Sequence, residues 1–346
     1  MKRLPALGAL LLLSGCAPIG YYAQAVSGHL ELMWLAVPIE EHIRQTHTPD
    51  ALRAKLARVL VIREFASRDL ALPDNGSYRS YADLGRPFVV WNVFATPEFS
   101  IKPVESCFPF AGCVTYRGYY SEEAAQRYAA GLAEKGHDIH VGGVPAYSTL
   151  GWFDDPVLST FIQYPEVEVA RIVFHELAHQ TVYVKDDTMF NESFASIVEE
   201  EGVRRWLERE GTPAQRAAYL ESRRRRSEFT AFMLKYRSRL ADFYARPAPV
   251  EERRAGKQRI FADLDDEYRA LKTSWGGFSG YDRLFTRRAN NALLASIASY
   301  AELVPAFRAL LGRNQGDLKA FYEAARDLAR TEKPERDARL AALAAQ

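Results

Sequence analysis

The sequence has few cysteines, methionines and histidines, and its net charge is close to zero. Its 346 residues include three cysteines, four methionines and seven histidines, and 45 basic against 44 acidic residues leave a net charge of +1. This balance argues against a nucleic-acid partner and against a strongly acidic one. The chain also lacks internal repeats and low-complexity linkers, and its 48% hydrophobic content indicates a packed globular body.

Two of the few histidines stand four residues apart in the run F-H-E-L-A-H-Q that begins at Phe174. Positions i and i+4 of a helix lie about 40° apart on one face, and the preceding apolar residues include no Pro or Gly, so we expect a helix here. His175 and His179 can then bind one metal ion, with Glu176 beside them as general base. The H-E-x-x-H pattern predicts one zinc ion and hydrolysis. The alternative is two structural histidines next to a buried glutamate, which would cost free energy because the carboxylate would be buried without a partner.

A catalytic zinc ion needs a third protein ligand, and the run N-E-S-F-A that begins at Asn191 offers one. A polar stretch, residues 185–188, predicts a turn. A second helix starting near Thr188, with Asp187 or Thr188 as its N-cap, would return Glu192 to the histidines. Glu192 is therefore the predicted third ligand. The competitors are Glu199, Glu200 and Glu201. Of these, Glu199 shares the face of Glu192 and could instead accept a hydrogen bond from a histidine N–H.

The N-terminus has the features of a secretory signal. Two basic residues precede an apolar run, residues 4–13, that is too short to span a bilayer. The run ends in L-S-G-C at Cys16, which resembles the lipobox of bacterial lipoproteins and implies cleavage after residue 15 and acylation of Cys16. An ordinary cleaved signal with an incidental cysteine is the alternative. We expect a lipid anchor on the periplasmic side of the envelope, and Ala17 favours the outer membrane over the inner.

The other two cysteines, Cys107 and Cys113, enclose a short loop. In an oxidising periplasm a disulfide between them is the expected state, while a pair of thiolate metal ligands is the alternative. Such a small loop removes little chain entropy, so the bond would hold the loop more than the whole fold.

Hydrophobic periodicity predicts the α+β class, predominantly helical, with a small sheet upstream of the metal helix. This shape resembles that of zincin-like metallopeptidases. The predicted order is a signal peptide at 1–15 and one domain at 16–346, divided into a helical part (17–70), a sheet region (75–155), the metal helices (157–210) and a helical C-terminal part (212–346). Helices are expected at 212–244 and 250–273, and two more within 281–330. A basic run, residues 223–226, is interpreted as a solvated, salt-bridged face.

The segment before the metal helix, residues 142–156, suggests a place for the substrate. An edge strand at 147–150 would pair with an extended peptide through Tyr147, Ser148 and Thr149. A plain strand and turn, with Trp152 and Phe153 in the core, is the equal alternative.

Several motifs together resemble one family. They are CFPFAGCVTYRGYY from Cys107, VGGVPAYSTLGWFDDP from Val141, HELAHQ, NESFA, and later stretches that begin at Asn290 and Val304. With the lipobox, they are similar to the putative zinc aminopeptidases among proteobacterial lipoproteins, over nearly the whole mature chain. The resemblance implies a gluzincin-like zinc peptidase that acts on peptides, with His175, His179 and Glu192 as ligands and Glu176 as base.

Two further roles have several candidates each. Tyr183 and Tyr300 are candidate donors to the developing oxyanion, although most tyrosines are simply packed. An aminopeptidase must also hold the substrate's ammonium group, and the candidates for this are Asp154, Asp155, Glu199 and Glu105.

Three functions fit these patterns. The first is an exopeptidase, the second an envelope endopeptidase with the same site, and the third a non-catalytic envelope lipoprotein with a structural metal. A structural site needs no base, so the presence of Glu176 favours an enzyme.

Overall fold

The structure, a computed structural model, describes residues 16–345 apart from 109–111 and 287; the predicted signal peptide, residues 1–15, lies outside the described residues. The helices are α1 (Cys16–Leu35), α2 (Ile39–Arg44), α3 (Asp50–Leu70), α4 (Glu122–Ala133), α5 (Ser159–Ile162), α6 (Glu166–His179), α7 (Thr188–Glu210), α8 (Pro213–Tyr244), α9 (Val250–Ser274), α10 (Asp282–Phe285), α11 (Asn291–Ala301), α12 (Val304–Arg313), α13 (Leu318–Ala329) and α14 (Lys333–Ala344). The strands are β1 (Val37–Pro38), β2 (Ser80–Ala82), β3 (Val90–Pro97), β4 (Ser106–Phe108), β5 (Gly112–Val114), β6 (Arg117–Tyr119), β7 (His137–Val144) and β8 (Val157–Leu158). The predicted class, α+β and predominantly helical, is confirmed.

The larger sheet lies upstream of the metal helix, as the sequence indicated. Its order is β6-β3-β7, with both pairings antiparallel, and β3 is buried along most of its length. Side chains alternate between the two faces of a strand. Trp91 and Val93 therefore share one face and pack with α4, while Phe94 contacts the rings of Tyr116 and His140 on the other face.

A smaller sheet joins the N-terminal helices to the segment that leads into the metal helix. In the order β1-β2-β8, Tyr81 pairs in parallel with Val157, and Val37 pairs antiparallel with Tyr81. Its main-chain hydrogen bonds fix the position of β8, the strand that leads into α5 and α6.

Helices α6 and α7 pack closely because a glycine stands where they meet α3. A Cβ atom at Gly202 would lie 2.8 Å from side-chain atoms of both Leu70 and Phe174. Side chains at this point would separate the helices, so Gly202 sets the short distance between α6 and α7.

The predicted strand at 147–150 is wrong. Tyr147 to Thr149 form an irregular loop, and Leu150 adopts a positive φ of 58°, which ends any extended run. The strand is instead β7, which ends at Val144 before Pro145. The alternative that placed Trp152 and Phe153 in the core is also wrong, since these side chains are 75% and 51% exposed.

The C-terminal part contains more and shorter helices than predicted. Residues 281–330 form α10 to α13 rather than two helices, because polar and glycine-containing turns such as residues 314–317 interrupt the apolar pattern. Among the described residues one helical segment, Asn291–Arg313, is long and apolar enough to cross a membrane. Half of its window is buried within the protein, where α11 packs on α7 and α8.

Candidate metal centre

Three side chains from α6 and α7 converge on one point. His175 Nε2 lies 3.2 Å from His179 Nε2 and 3.3 Å from Glu192 Oε2, and the last two atoms are 3.7 Å apart. The two histidines come from successive turns of α6, and Glu192 comes from the second turn of α7. The structure thus brings together the three predicted ligands.

These distances fit a metal ion. Donors bound tetrahedrally to zinc at about 2.0–2.1 Å are about 3.3 Å from one another. Two imidazole nitrogens and one carboxylate oxygen are also a donor set that zinc accepts, with a fourth position left open. The three side chains therefore fit the zinc ion that the H-E-x-x-H motif implies.

A second carboxylate orients His175 through the ring nitrogen that faces away from the other two ligands. Its Nδ1 lies 2.9 Å from Glu199 Oε2, while its Nε2 faces the other two donors. Glu199 is held in turn by Arg171 at 2.9 Å and by Arg226 at 3.4 Å. Such a carboxylate fixes the ring and its tautomer, which is the supporting role that the sequence allowed for Glu199.

The charges around the triad are strongly perturbed. Burial opposes protonation of His175, but its hydrogen bonds to Glu192 and Glu199 outweigh this and raise its pKa to about 10. Burial lowers the pKa of His179 to about 4. Burial opposes ionisation of the two carboxyls, but His179 holds the pKa of Glu192 low, and Arg171 with His175 brings that of Glu199 to about 2. A metal cation would take the place of the His175 proton beside two ionised carboxylates.

Glu176 lies beside the triad without belonging to it. Burial raises its pKa to about 7; protonated His175 acts against this shift, while Glu192 and Asp155 add to it. A carboxyl group that titrates near neutral pH can accept a proton and return it.

Side-chain hydrogen bonds shape the turn between the two metal helices. Asn191 accepts from the N–H of Val184 at 2.7 Å and donates to its carbonyl at 2.8 Å. Asp187 caps α7 by accepting from the N–H of Phe190, as the sequence suggested. The other carboxylate oxygen of Asp187 accepts from buried Arg336 of α14 at 2.8 Å. The position of Glu192 therefore depends on the cap of its own helix and on a distant helix.

A disulfide-linked hairpin packs against the same turn. Strands β4 and β5 pair Cys107 with Cys113, and their sulfur atoms are joined at 2.03 Å. The N–H of Cys113 donates to the carboxylate of Asp186, which lies next to the cap residue of α7. The two cysteines thus form a disulfide and are not thiolate metal ligands.

Three tyrosines lie close enough to the triad for the charge of Glu192 to act on them. Burial first, and then the negative charge of Glu192, raise the pKa values of Tyr116, Tyr183 and Tyr300 above their ordinary range. All three hydroxyls therefore stay protonated as donors at neutral pH. Tyr300 is also influenced by Glu176 and is 36% exposed, so it borders solvent as well as the site.

The loop before α6 is tied to the metal helix by a buried carboxylate. Asp155 Oδ2 accepts from the Thr149 N–H at 3.0 Å and faces Gln180 Nε2 at 3.5 Å, one residue after His179. Burial raises the pKa of Asp155 to about 6. Gln180 also binds Asn75, and so the loop from 73 to 79 joins the same network.

The predicted substrate-binding residues have other partners. The Tyr147 hydroxyl lies 2.7 Å from His29 Nδ1, Ser148 Oγ accepts from the N–H of Leu150, and Thr149 bonds to Phe153 and to Asp155. They form a folded loop rather than a free strand edge. Of the candidates for holding an ammonium group, Glu199 is used by His175, whereas Asp155 lies close enough to Glu176 to affect its pKa.

Sequence reasoning missed several residues of the site. Arg171 lies one turn before His175 on α6, and this spacing could have revealed it. Arg226 belongs to the run interpreted as a solvated face, and its neighbours do pair with surface glutamates, but Arg226 itself reaches Glu199. Tyr116 comes from a loop beside β6 and has no local sequence signature.

Comparison with known proteins agrees with this picture. Residues 20–340 match the family described as putative aminopeptidase, and the chain therefore belongs to that family. No curated protein and no solved structure matches the chain. Membership supports a peptidase function with peptide substrates.

Proposed function

We propose that the protein is a zinc-dependent aminopeptidase. The observation that carries the proposal is the convergence of His175, His179 and Glu192, with donor atoms 3.2 to 3.7 Å apart, beside the carboxyl of a fourth side chain, Glu176. A structural metal site has no use for such a carboxyl.

Zinc bound by the three ligands would supply a Lewis acid that lowers the pKa of water and polarises the scissile carbonyl. Glu176 accepts the proton of the attacking water and passes it to the leaving amine. Tyr300 donates a hydrogen bond to the developing oxyanion, since its hydroxyl remains protonated, the charges of Glu192 and Glu176 act on it, and the residue is partly exposed to solvent. Tyr116 and Tyr183 are the other candidate donors.

Asp155 is the proposed partner of the substrate's free ammonium group. Its carboxylate is buried near Glu176, and the hydrogen bonds from the Thr149 N–H and from Gln180 both reach Oδ2. The substrate's ammonium group would favour the ionised form of Asp155, whose pKa burial raises to about 6. This pairing would restrict cleavage to the first residue of a peptide.

The proposed location is the periplasmic side of the bacterial envelope, with an acylated Cys16 as the anchor in the outer membrane. The lipobox-like run before Cys16 and the disulfide between Cys107 and Cys113 support this, since disulfides persist in oxidising compartments.

The test uses the purified full chain, assayed for bound zinc and for hydrolysis of one peptide with a free and with an acetylated N-terminus. Glu176→Gln should retain zinc and lose turnover. Glu166→Gln is the matched control, because Glu166 lies in the first turn of the same helix and pairs with Arg58.

Each outcome decides between functions. Cleavage of only the free-amine peptide supports the aminopeptidase, and equal cleavage of both peptides indicates an endopeptidase. Retained zinc without turnover on a broad peptide set would refute the enzyme and leave a structural metal.

A further inference from the structure

Helix α1 is largely apolar, yet only one side of it is covered by the protein. The covered side includes Leu32 in the main core, and Gly28 against the ring of Tyr120. Its only fully charged residue is Glu31, which pairs with Arg86 at 3.3 Å. A surface helix normally turns a polar face to solvent, so exposed apolar side chains on the uncovered side of α1 need an explanation.

The uncovered side is a continuous stripe. Tyr22, Val26, Leu30 and Trp34 follow one another at four-residue intervals and are 42%, 58%, 61% and 89% exposed. This spacing drifts by about 40° per step, so the four side chains cover one third of the circumference over more than three turns. We call these four residues the α1 stripe. Exposed apolar side chains scattered singly are ordinary, but an aligned row of four marks an interaction surface.

The loop before the metal helix adds to this surface. Phe153 is 51% exposed, and its ring centroid lies 4.5 Å from that of His29, which stands beside Val26 on the helix. His29 also contacts the Tyr147 hydroxyl at 2.7 Å. The loop that borders Glu176 through Asp155 therefore rests on the same helix that carries the stripe.

We propose that the α1 stripe docks on a lipid bilayer, with α1 lying along the membrane surface. The helix begins at Cys16, so acyl chains on that residue would enter the bilayer about 9 Å along the helix from Tyr22. An uncharged apolar face that starts at an anchor and ends in an exposed tryptophan suits the region where headgroups meet acyl chains. The inference rests on the proposed acylation of Cys16. It places the loop of Phe153, and with it one wall of the active site, next to the membrane.

The test uses Trp34 as its own reporter. Of the five tryptophans, Trp91, Trp206 and Trp275 are buried, whereas Trp34 and Trp152 are exposed. The full chain, produced in a bacterial host and reconstituted in vesicles of phosphatidylethanolamine and phosphatidylglycerol, is titrated with brominated-acyl lipid. In a Trp152→Phe background, which removes the other exposed tryptophan, we expect quenching of tryptophan emission that Trp34→Phe abolishes.

A matched pair of double variants isolates the stripe. Val26→Glu/Leu30→Glu should abolish lipid quenching of Trp34 and make it accessible to iodide. Leu220→Glu/Val250→Glu changes residues of equal type and similar exposure, 62% and 50%, on other helices and should leave the quenching intact. Thermal unfolding followed by circular dichroism checks that each variant is folded.

Flotation and the mass of the N-terminal peptide separate docking from anchoring. Acylated protein that floats with vesicles but shows no lipid quenching of Trp34 overturns the docking and leaves the anchor in place. Quenching in a chain without acyl groups supports docking and refutes the anchor. A vesicle-free dimer that Val26→Glu/Leu30→Glu converts to a monomer would assign the stripe to a second copy and overturn the proposal.

Discussion

The clearest test of the site's electrostatics is Asp155→Asn. Asp155 is 4% exposed, and its burial raises the pKa of its carboxyl from 3.8 to about 6. A carboxyl whose pKa is higher in the folded than in the unfolded protein destabilises the fold once it must ionise. This cost begins as the pH rises through 3.8, the unfolded value, and is complete above about 6, the folded value.

The size of the effect follows from the shift. One pKa unit corresponds to about 1.4 kcal/mol, so a shift of roughly two units costs about 3 kcal/mol above pH 6. Asparagine has nearly the same shape, and its carbonyl can still accept from Thr149 and Gln180. We therefore expect Asp155→Asn to raise the free energy of unfolding at pH 7.5 by up to about 3 kcal/mol, with little gain at pH 4.

The assay is urea denaturation of both proteins across this pH range. The neighbouring Asp154 is exposed, so Asp154→Asn should show no such pH-dependent gain in stability. Equal stabilities of Asp155→Asn and the original chain at pH 7.5 would refute the reasoning. If Asp155 also binds the substrate's ammonium group, Asp155→Asn should have a higher KM for free-amine peptides. The carboxylate would then serve substrate binding while it lowers the stability of the fold.

Three other substitutions test the surroundings of the triad. Glu199→Gln should weaken zinc binding by about tenfold to hundredfold in chelator competition, because His175 loses its charged partner. Glu200→Gln is the control. Unchanged zinc affinity in Glu199→Gln would contradict the supporting role assigned to Glu199. Tyr300→Phe should lower kcat by about a hundredfold with zinc content unchanged, and an undiminished rate would move the oxyanion donor elsewhere. Gly202→Ala should lower the free energy of unfolding in urea by about 1–3 kcal/mol through collision with Phe174, while a neutral result would mean that the helices can separate freely.

The sequence predicted those parts of the site that depend on local geometry. The i, i+4 spacing placed His175 and His179 on one face of a helix, and the polar turn with its capping aspartate indicated the start of α7 and the return of Glu192. Glu199 followed from its seven-residue separation from Glu192 along that helix.

Long-range contacts could not be predicted in the same way. Tyr116 reaches the site because β6 pairs with β3, and Arg226 does so because α8 packs against α7, and neither pairing has a local pattern. The error at 147–150 has a physical cause as well. Alternating residues there look like a strand, but Asp155 and Thr149 fold the chain into a loop that is held by side-chain hydrogen bonds.

The ion pair between Asp187 and Arg336 ties the candidate metal centre to the far end of the chain. Arg336 lies 149 positions beyond Asp187, and both side chains are buried. Without Arg336, Asp187 would be a buried carboxylate that lacks this partner, and the turn that presents Glu192 would lose a support. A fragment that ends before α14 contains both histidines and Glu192, yet we expect it to bind a metal poorly. This dependence would keep incomplete chains from acquiring the proposed zinc ion.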